Sequence, residues 1–180
     1  MDSVKNMHMN GEFMSKNINK DKLKEKKTNV MRILDQAKVS YQHYCYADTD
    51  AVSGLDVAAV LKQNPEQVFK TLVAAGKSGE NYVFVIPVNK ELDLRKAART
   101  VNEKSMEMIK SKELLPLTGY IHGGCSPIGM KKQFVTVINE SAANHETILF
   151  SAGKIGYQVE LTLDDLEKVI SFLLADITDK

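Results

Sequence analysis

The sequence lacks the features that would place it among membrane, secreted or disulfide-rich proteins. Its two cysteines, Cys45 and Cys125, lie 80 positions apart, a spacing that fits neither a metal-binding knuckle nor a disulfide framework. No apolar run approaches the ~20 residues needed to cross a bilayer. The first residues, MDSVKNMHMNGEFMSKN, contain no continuous apolar segment of the kind that secretory signals carry. We therefore expect a cytoplasmic protein with reduced thiols and no membrane partner.

The sequence also lacks the common motifs of hydrolases and nucleotide-binding enzymes. HExxH, GxSxG, GxxxxGK[ST] and GxGxxG are all absent, and the histidines show no metal-ligand spacing. Cys125 has no histidine that the sequence can assign as its base, because His122, three positions upstream, is too weak a pairing. We interpret Cys125 as a small buried thiol, and we predict neither a metal site nor a cofactor.

Composition and charge indicate one folded domain preceded by a polar extension. Hydrophobic residues make up 43% of the 180 residues, which is enough for one core. Residues 1–27 have net charge +3 and no apolar periodicity, so we predict a disordered extension there and a single domain over 28–180. Residues 159–180 have net charge −4. This asymmetry can orient a polyanion, although a solvated tail and a solvated helix face explain it equally well.

Apolar periodicity and turn residues predict an α+β chain with a mixed, largely antiparallel sheet. The Gly76-Lys77-Ser78-Gly79 turn indicates a hairpin between two strands. The predicted helices are one capped by Thr28, one capped by Ser53 that ends near 64–65, one at 94–101, a further one considered at 103–110, and one beginning at Thr162 over TLDDLEKVISFLL. The predicted strands are 39–47, 68–75, 81–88, 118–124, 134–138, 147–153 and 157–161.

Lys70 interrupts the apolar run VFKTLVAA at 68–75. Because strand side chains alternate between faces, Lys70 shares its face with Val68, Leu72 and Ala74. One interpretation is a lysine whose stem covers apolar surface while its ammonium reaches solvent. The other is a lysine on a rigid strand that binds a phosphate or a carbonyl as a point charge. The strand pattern alone does not choose between them.

The segment GYIHGGCSPIGMKK at 119–132 is the second candidate site. Gly123, Gly124 and Gly129 allow positive φ angles and close approach of a ligand to the backbone. Successive exposed N–H groups in such a segment can bind an anion, and Lys131 and Lys132 follow directly. An ordinary pair of turns is the alternative. From the residues alone, the function is therefore either an enzyme that relies on groups of its own substrate or a module that binds nucleotides or nucleic acid.

Five segments in order resemble the YbaK/EbsC family of aminoacyl-tRNA deacylases, relatives of the editing domain in bacterial prolyl-tRNA synthetase. They are HYCYA, VFKTLVA, LDLRKAA, GYIHGGCSPIG-KK and FSAGKIGYQVEL, and the resemblance covers about residues 28–178. It implies the editing-domain fold, a single domain with a barrel-like mixed sheet and surrounding helices. The similarity is strongest to the YbaK branch, which removes cysteine mischarged onto proline tRNA.

The resemblance implies a role for each matching residue. Lys70 corresponds to the family's functional lysine, which is expected to hold the 3′-terminal adenosine through phosphate or carbonyl contacts. Tyr46 is expected to border the aminoacyl pocket, and Gln158 stands where close relatives often carry aspartate. The remaining residues implied in substrate binding are Gly123, Gly124, Cys125, Ser126 and Pro127 of the GxxxP loop with the nearby Gly129, and Ser151 and Gly153 of FSAGK.

The implied reaction is removal of cysteine from proline tRNA by attack of the substrate's own thiol on its ester. The implied partners are the 3′ end of mischarged tRNA and, as a candidate, prolyl-tRNA synthetase. Two alternatives remain at this stage. One is a deacylase for another mischarged residue, such as alanine on proline tRNA, that uses water. The other is a binder of tRNA ends without catalysis.

Overall fold

The computed structural model describes residues 27–180, so the predicted disordered extension at 1–27 lies almost wholly outside the described residues. The described chain contains five α-helices and eight strands. The helices are α1 Asn29–Gln36, α2 Gly54–Val60, α3 Leu94–Thr100, α4 Ser111–Thr118 and α5 Leu163–Glu167, with a 3-10 turn at Glu140–Asn144. The strands are β1 Gln42–Cys45, β2 Phe69–Gly76, β3 Asn81–Pro87, β4 Met106–Met108, β5 Val135–Asn139, β6 Ile148–Ser151, β7 Tyr157–Leu161 and β8 Leu173–Ala175.

The strands form two sheets, in the orders β1-β7-β6 and β4-β2-β3-β5-β8. Four of the six pairings are antiparallel, while β3–β5 and β5–β8 are parallel. The predicted α+β fold with a mixed, largely antiparallel sheet is therefore confirmed. A parallel bridge between Val68 and Leu149 joins the two sheets, and Val68 also lines the cleft described below.

Local sequence signals that carry a specific hydrogen bond are found where they were expected. The Thr28 hydroxyl accepts from the Met31 N–H at the start of α1. Ser53 and Asp56 form a reciprocal capping box at the start of α2. The β2–β3 hairpin pairs in register from Phe69–Pro87 to Ala75–Asn81, with Gly79 of its turn at φ +91°.

The prediction of a strand at 118–124 is wrong. Thr118 is the last residue of α4, residues 119–124 form turns and irregular structure, and Gly119 ends the helix in the left-handed conformation at φ +85°. The Thr118 hydroxyl donates to the Leu114 carbonyl and accepts from the Tyr120 N–H. These helix-ending bonds override the strand propensity of the aromatic and β-branched residues that follow.

Two further predictions near strand edges are wrong. Residues 103–110 are not helical, because Met106–Met108 form β4 at the edge of β2. The last helix is much shorter than predicted: Thr162 caps it, but α5 ends at Glu167. Leu173–Ala175 then pair in parallel with β5. Both segments are apolar enough for either structure, and tertiary pairing at the sheet edges decides between them.

Apolar side chains divide between a main core and two smaller clusters. The main core lies between the two sheets and beneath α1, where Val30 and Leu34 are fully buried. A second cluster lies between α3 and the opposite face of the larger sheet, and it includes Ala74 and Phe84. A third cluster packs α2 against the sheet junction through Ala58, Val68 and Leu149. The helix α2 therefore forms one wall of an open space above that junction.

Candidate active site at the junction of the two sheets

A cleft of about 450 Å³ opens where α2, the start of β2 and the 119–132 segment meet. Its apolar wall comes from α2, β2 and the central core. Its polar groups come from several elements that are distant in sequence. The predicted site residues that line it are Tyr46, Lys70, Gly123, Cys125, Ser151 and Gln158.

Lys70 projects from β2 at one side of the cleft. Its side chain is 29% exposed, and its Nζ lies 3.5 Å from Oε1 of Glu91. Leu72 and Ala74, which share its face of the strand, pack in the cluster beneath α3. The stem of Lys70 therefore follows apolar surface, as the first interpretation expected, while its ammonium borders the cleft, as the second required.

The next residue, Thr71, contributes a hydroxyl that sequence reasoning missed. Thr71 Oγ1 is buried and has no hydrogen-bond partner within residues 27–180, and the residue lines the cleft. Buried hydroxyls are rarely left without a partner. An available donor beside Lys70 therefore favours the binding of a ligand with acceptor oxygens.

The α2 wall combines a fixed backbone with exposed apolar side chains. The Ser53–Asp56 capping box holds the start of the helix, and hydrogen bonds that the Asp56 carboxylate accepts from Ser53 and Val52 hold its pKa below the ordinary value. Val52 is 87% exposed and Leu55 is 48% exposed, and both border the cleft. Tyr46 closes the base of this wall, where its N–H donates to the Gly156 carbonyl at 2.8 Å.

The first half of the glycine-rich segment faces the cleft. Gly123 has φ +85°, and a side chain on Gly124 would lie 3.2 Å from the Ile155 backbone nitrogen. Cys125 is buried, and this burial raises the pKa of its thiol to about 12. A thiol of that pKa is almost wholly protonated at neutral pH and is a poor nucleophile. The expectation of a buried structural thiol at Cys125 is thus supported.

The second half of the segment packs within the protein and does not line the cleft. Ser126 is fully buried, and its hydroxyl accepts from the Ile128 N–H at 3.3 Å. Tyr120 donates from its hydroxyl to the Ile128 carbonyl at 2.5 Å. An added Cβ would lie 2.7 Å from the Tyr120 hydroxyl at Gly129 and 2.9 Å from the Tyr120 ring at Gly153.

The structure thus separates the predicted site residues into two groups. One group lines the cleft, as given above. Outside the lining of the cleft lie Gly124, Ser126, Pro127, Gly129 and Gly153. Gly129 and Gly153 provide room for Tyr120, and this packing role has no signal in the sequence beyond the glycines themselves.

Gln158 is held by a partner that the sequence could not identify. It is 2% exposed, and its carboxamide exchanges two hydrogen bonds with that of Gln63, at 2.7 and 3.1 Å. A carboxylate could accept from Gln63 but could not donate back. The Gln158 amide therefore links the turn after α2 to β7 and brings no charge to the cleft.

Ser151, at the end of β6, contributes a hydroxyl to the lining of the cleft. It accepts from the Gly153 N–H at 3.1 Å, so its own proton can be donated into the cleft. His122 and Glu91 also line the cleft and were not predicted as site residues. Glu91 lies in a polar turn between β3 and α3, where the sequence alone shows an ordinary surface carboxylate.

The described part of the chain offers no group of three histidine, cysteine or acidic side chains arranged to hold a metal ion. None of its helices is long and apolar enough to span a membrane. The described side chains that line the cleft include one lysine, one glutamate, one histidine and several hydroxyls, among them those of Thr71 and Ser151, and its one thiol is held protonated by burial. Such a set can bind and polarise an ester or a phosphate, while the attacking group must come from substrate or water.

Comparisons with known proteins agree with this geometry. A family model described as the aminoacyl-tRNA editing domain matches residues 49–169. The chain is 45% identical over 157 residues to the Enterococcus faecalis protein named "Putative Cys-tRNA(Pro)/Cys-tRNA(Cys) deacylase EbsC", covering 87% of this chain and 96% of that one.

Two solved structures share the fold. The hypothetical protein APE2540 is similar with a TM-score of 0.77 and 19% identity, covering 84% of this chain and all of that one (100%). A structure described as "a putative trans-editing enzyme for prolyl tRNA synthetase" has a TM-score of 0.71 and 21% identity, covering 85% of this chain and 99% of that one. At these identities the two structures establish the fold.

Proposed function

Because this chain belongs to the aminoacyl-tRNA editing domain family, we propose that it deacylates mischarged tRNA in trans, with cysteine on proline tRNA as its main substrate. The observation that carries this proposal is the cleft itself. Lys70 and the Gly123 turn border one space that contains no activated nucleophile. Cysteinyl-tRNA supplies a nucleophile of its own.

The proposed chemistry is intramolecular. The thiol sulfur of the substrate attacks its own ester carbonyl, an S–C bond forms, and the C–O bond to the terminal ribose breaks. The thiol proton ends on the ribose oxygen, which leaves free tRNA and a cysteine thiolactone that water opens. Correct orientation of an attached nucleophile is worth ~7–11 kcal/mol, so the protein needs to hold the thiol against the ester rather than supply a base.

The cleft residues have complementary roles in this reaction. We assign to Lys70 the terminal phosphate or the ester carbonyl, and to the Gly123 turn the donation of N–H groups to the developing oxyanion. One strong oxyanion donor is worth ~2.7–4 kcal/mol. Tyr46, Ser151 and Gln158 would then border the aminoacyl group.

The first experiment measures release of labelled cysteine from Cys-tRNA(Pro) by the full chain without added metal or nucleotide. We expect wild-type protein to deacylate it, and Lys70→Ala to lower kcat/KM by about 100-fold or more, since a cation at a developing charge is lost. Lys77→Ala is the matched control, because Lys77 is exposed at the far end of the same hairpin. Equal activity of Lys70→Ala and Lys77→Ala would refute the site.

Replacing the substrate thiol tests the mechanism. Ser-tRNA(Pro) differs from Cys-tRNA(Pro) by one atom, and a hydroxyl is a far weaker nucleophile near neutral pH. We expect at least a 100-fold preference for cysteine, within the range that orientation of a competent nucleophile provides. Equal rates would indicate attack by water. Release of alanine in preference to cysteine would reassign the enzyme to Ala-tRNA(Pro), and binding without turnover would make it a tRNA-end binder.

We further propose that the enzyme works beside prolyl-tRNA synthetase in the cytoplasm, where charged tRNA is made and used. Lys70 is the one lysine or arginine among the described residues that line the cleft, so we expect the domain alone to hold the body of a tRNA weakly. Lys154 lies beside the lining, with its Nζ 5.4 Å from the ring centre of Tyr157. A titration at low salt should detect a ternary complex, because phosphate contacts weaken steeply with salt. Absence of that complex would refute the partnership and leave the deacylase intact.

A further inference from the structure

The cleft carries one carboxylate that neither the sequence motifs nor the family resemblance assigned. Among the described residues that line it, Lys70 is the one lysine or arginine and Glu91 is the one aspartate or glutamate. Their charged groups are neighbours, since Lys70 Nζ lies 3.5 Å from Glu91 Oε1. Gln158, which also lines the cleft, is neutral and is hydrogen-bonded to Gln63. Any negative charge offered to a ligand in this cleft must therefore come from Glu91.

The backbone of Glu91 is fixed by the C-terminal segment. The Asp179 N–H donates to the Glu91 carbonyl at 3.1 Å, and the Glu91 N–H donates to Asp179 Oδ1 at 3.2 Å. Leu92 bridges to Thr178. The side chain of Glu91 is by contrast 79% exposed. Its position is therefore set by the backbone, while its carboxylate stays available to a ligand.

The contact between Glu91 and Lys70 is weak enough for a ligand to replace it. A partly exposed ion pair at this distance contributes little to stability because water screens it. A cationic group of a bound substrate could take the place of Lys70 at the carboxylate. Lys70 would then be free to move to an anionic oxygen of the same substrate.

The aminoacyl end of a charged tRNA has this pair of groups. Its α-ammonium and its ester carbonyl are carried on adjacent carbon atoms, so the protein groups that contact them must also be neighbours. Lys70 and Glu91 meet this condition, and their charges are complementary to the substrate. We propose that Glu91 binds the α-ammonium of the aminoacyl group while Lys70 holds the oxygens beside it. This inference rests on the proposed function and deepens it by assigning recognition of the free amino group.

The test combines one substitution with one substrate change. The substrates are Cys-tRNA(Pro) and 3-mercaptopropionyl-tRNA(Pro), which keeps the thiol and the ester but lacks the amino group. The proteins are wild type, Glu91→Gln, and Glu107→Gln as a control. Glu107 is exposed on β4, paired with Ala75 at the far end of the strand that carries Lys70. Intrinsic reactivity differs between the two esters, but this difference cancels when their kcat/KM ratio is compared between proteins.

We expect wild type and Glu107→Gln to share one preference for the amino-bearing substrate, and Glu91→Gln to reduce that preference about 5- to 20-fold, as for a charge-assisted contact that water partly screens. An unchanged ratio in Glu91→Gln would overturn the inference, whether or not overall activity falls, and the deacylase function would stand. No release from either substrate by wild type would instead remove the proposed function, and the inference with it. Unchanged circular dichroism would confirm that Glu91→Gln is folded.

Discussion

The two halves of the glycine-rich segment look alike in sequence but differ in what surrounds them. Around Gly123 the chain turns at the cleft, and an added Cβ would meet only the side chain of Ile155 at 3.8 Å. Around Gly129 an added Cβ would lie 2.7 Å from the Tyr120 hydroxyl and 3.0 Å from Ile33 Cδ1. The first glycine leaves space for a ligand, and the second leaves space for the protein. A high density of glycines therefore indicates that something packs closely against the backbone, but it does not show whether this is a ligand or the protein itself.

Alanine substitutions at the two glycines should separate these roles most strongly. Gly129→Ala combines a strained φ of +80° with overpacking against Tyr120, so we expect a loss of about 2–4 kcal/mol in the free energy of unfolding. Gly123→Ala has the strain without the clash, and we expect a loss of about 1 kcal/mol. It should instead lower deacylation by about tenfold or more, because it alters the turn that offers N–H groups. Chemical denaturation and the Cys-tRNA(Pro) assay measure the two effects.

Gly79 provides the control for both substitutions. It has φ +91°, lies at the tip of the β2–β3 hairpin, and has no heavy atom within 4 Å of an added Cβ. Gly79→Ala therefore reports the cost of the backbone strain alone and should leave deacylation unchanged. If Gly129→Ala proves no more destabilising than Gly79→Ala, the packing role of the second half of the segment is wrong. If Gly123→Ala is as active as Gly79→Ala, its role at the cleft is wrong.

Removing one oxygen from Tyr120 sharpens the same comparison with a smaller effect. Burial raises the pKa of Tyr120 to about 12, so its hydroxyl stays protonated and donates to the Ile128 carbonyl. We expect Tyr120→Phe to lower the free energy of unfolding by about 1–2 kcal/mol, because the carbonyl loses a buried donor. Tyr82→Phe, which loses a bond to Glu103 near the surface, should cost about half as much or less. If Tyr120→Phe is as stable as Tyr82→Phe, the bond from Tyr120 to Ile128 does not stabilise the second half of the glycine-rich segment.

The free energy of unfolding should also fall at alkaline pH, because the Tyr120 hydroxyl is buried. Tyr120 has a higher pKa in the folded protein than its ordinary value of 10.0, so the unfolded chain loses this proton first as pH rises. The contribution of the Tyr120 hydroxyl to the free energy of unfolding is thus fully present below pH 10 and is lost between about pH 10 and pH 12. The decline should be smaller in Tyr120→Phe, which can be followed by denaturation at pH 9 and pH 11.

Sequence reasoning succeeded where a short signal fixes a local hydrogen bond and failed where distant segments decide. The caps at Thr28 and Ser53 and the hairpin at Gly76–Gly79 are local, and the structure contains all three. Strand β8 depends on an open edge of β5, which is distant along the chain. Lys70 and the glycine-rich segment were named as candidates from residue patterns and then from the family resemblance, and Lys70 and Gly123 line the same cleft. Thr71 and Glu91 were not found, because an unpaired hydroxyl and a neighbouring carboxylate exist only after folding.

The two cysteines should differ in their reactivity towards an alkylating reagent, and this is the prediction that perturbs the protein least. Cys45 is exposed and Cys125 is buried, and burial raises the pKa of the Cys125 thiol to about 12. At pH 8 we expect iodoacetamide to modify Cys45 readily and Cys125 at least tenfold more slowly, because the thiolate is the reacting form. Peptide mass spectrometry over a time course measures both rates, and modification in denaturant should abolish the difference. Equal rates in the folded protein would mean that Cys125 is accessible and reactive, and its interpretation as a buried structural thiol would then be wrong.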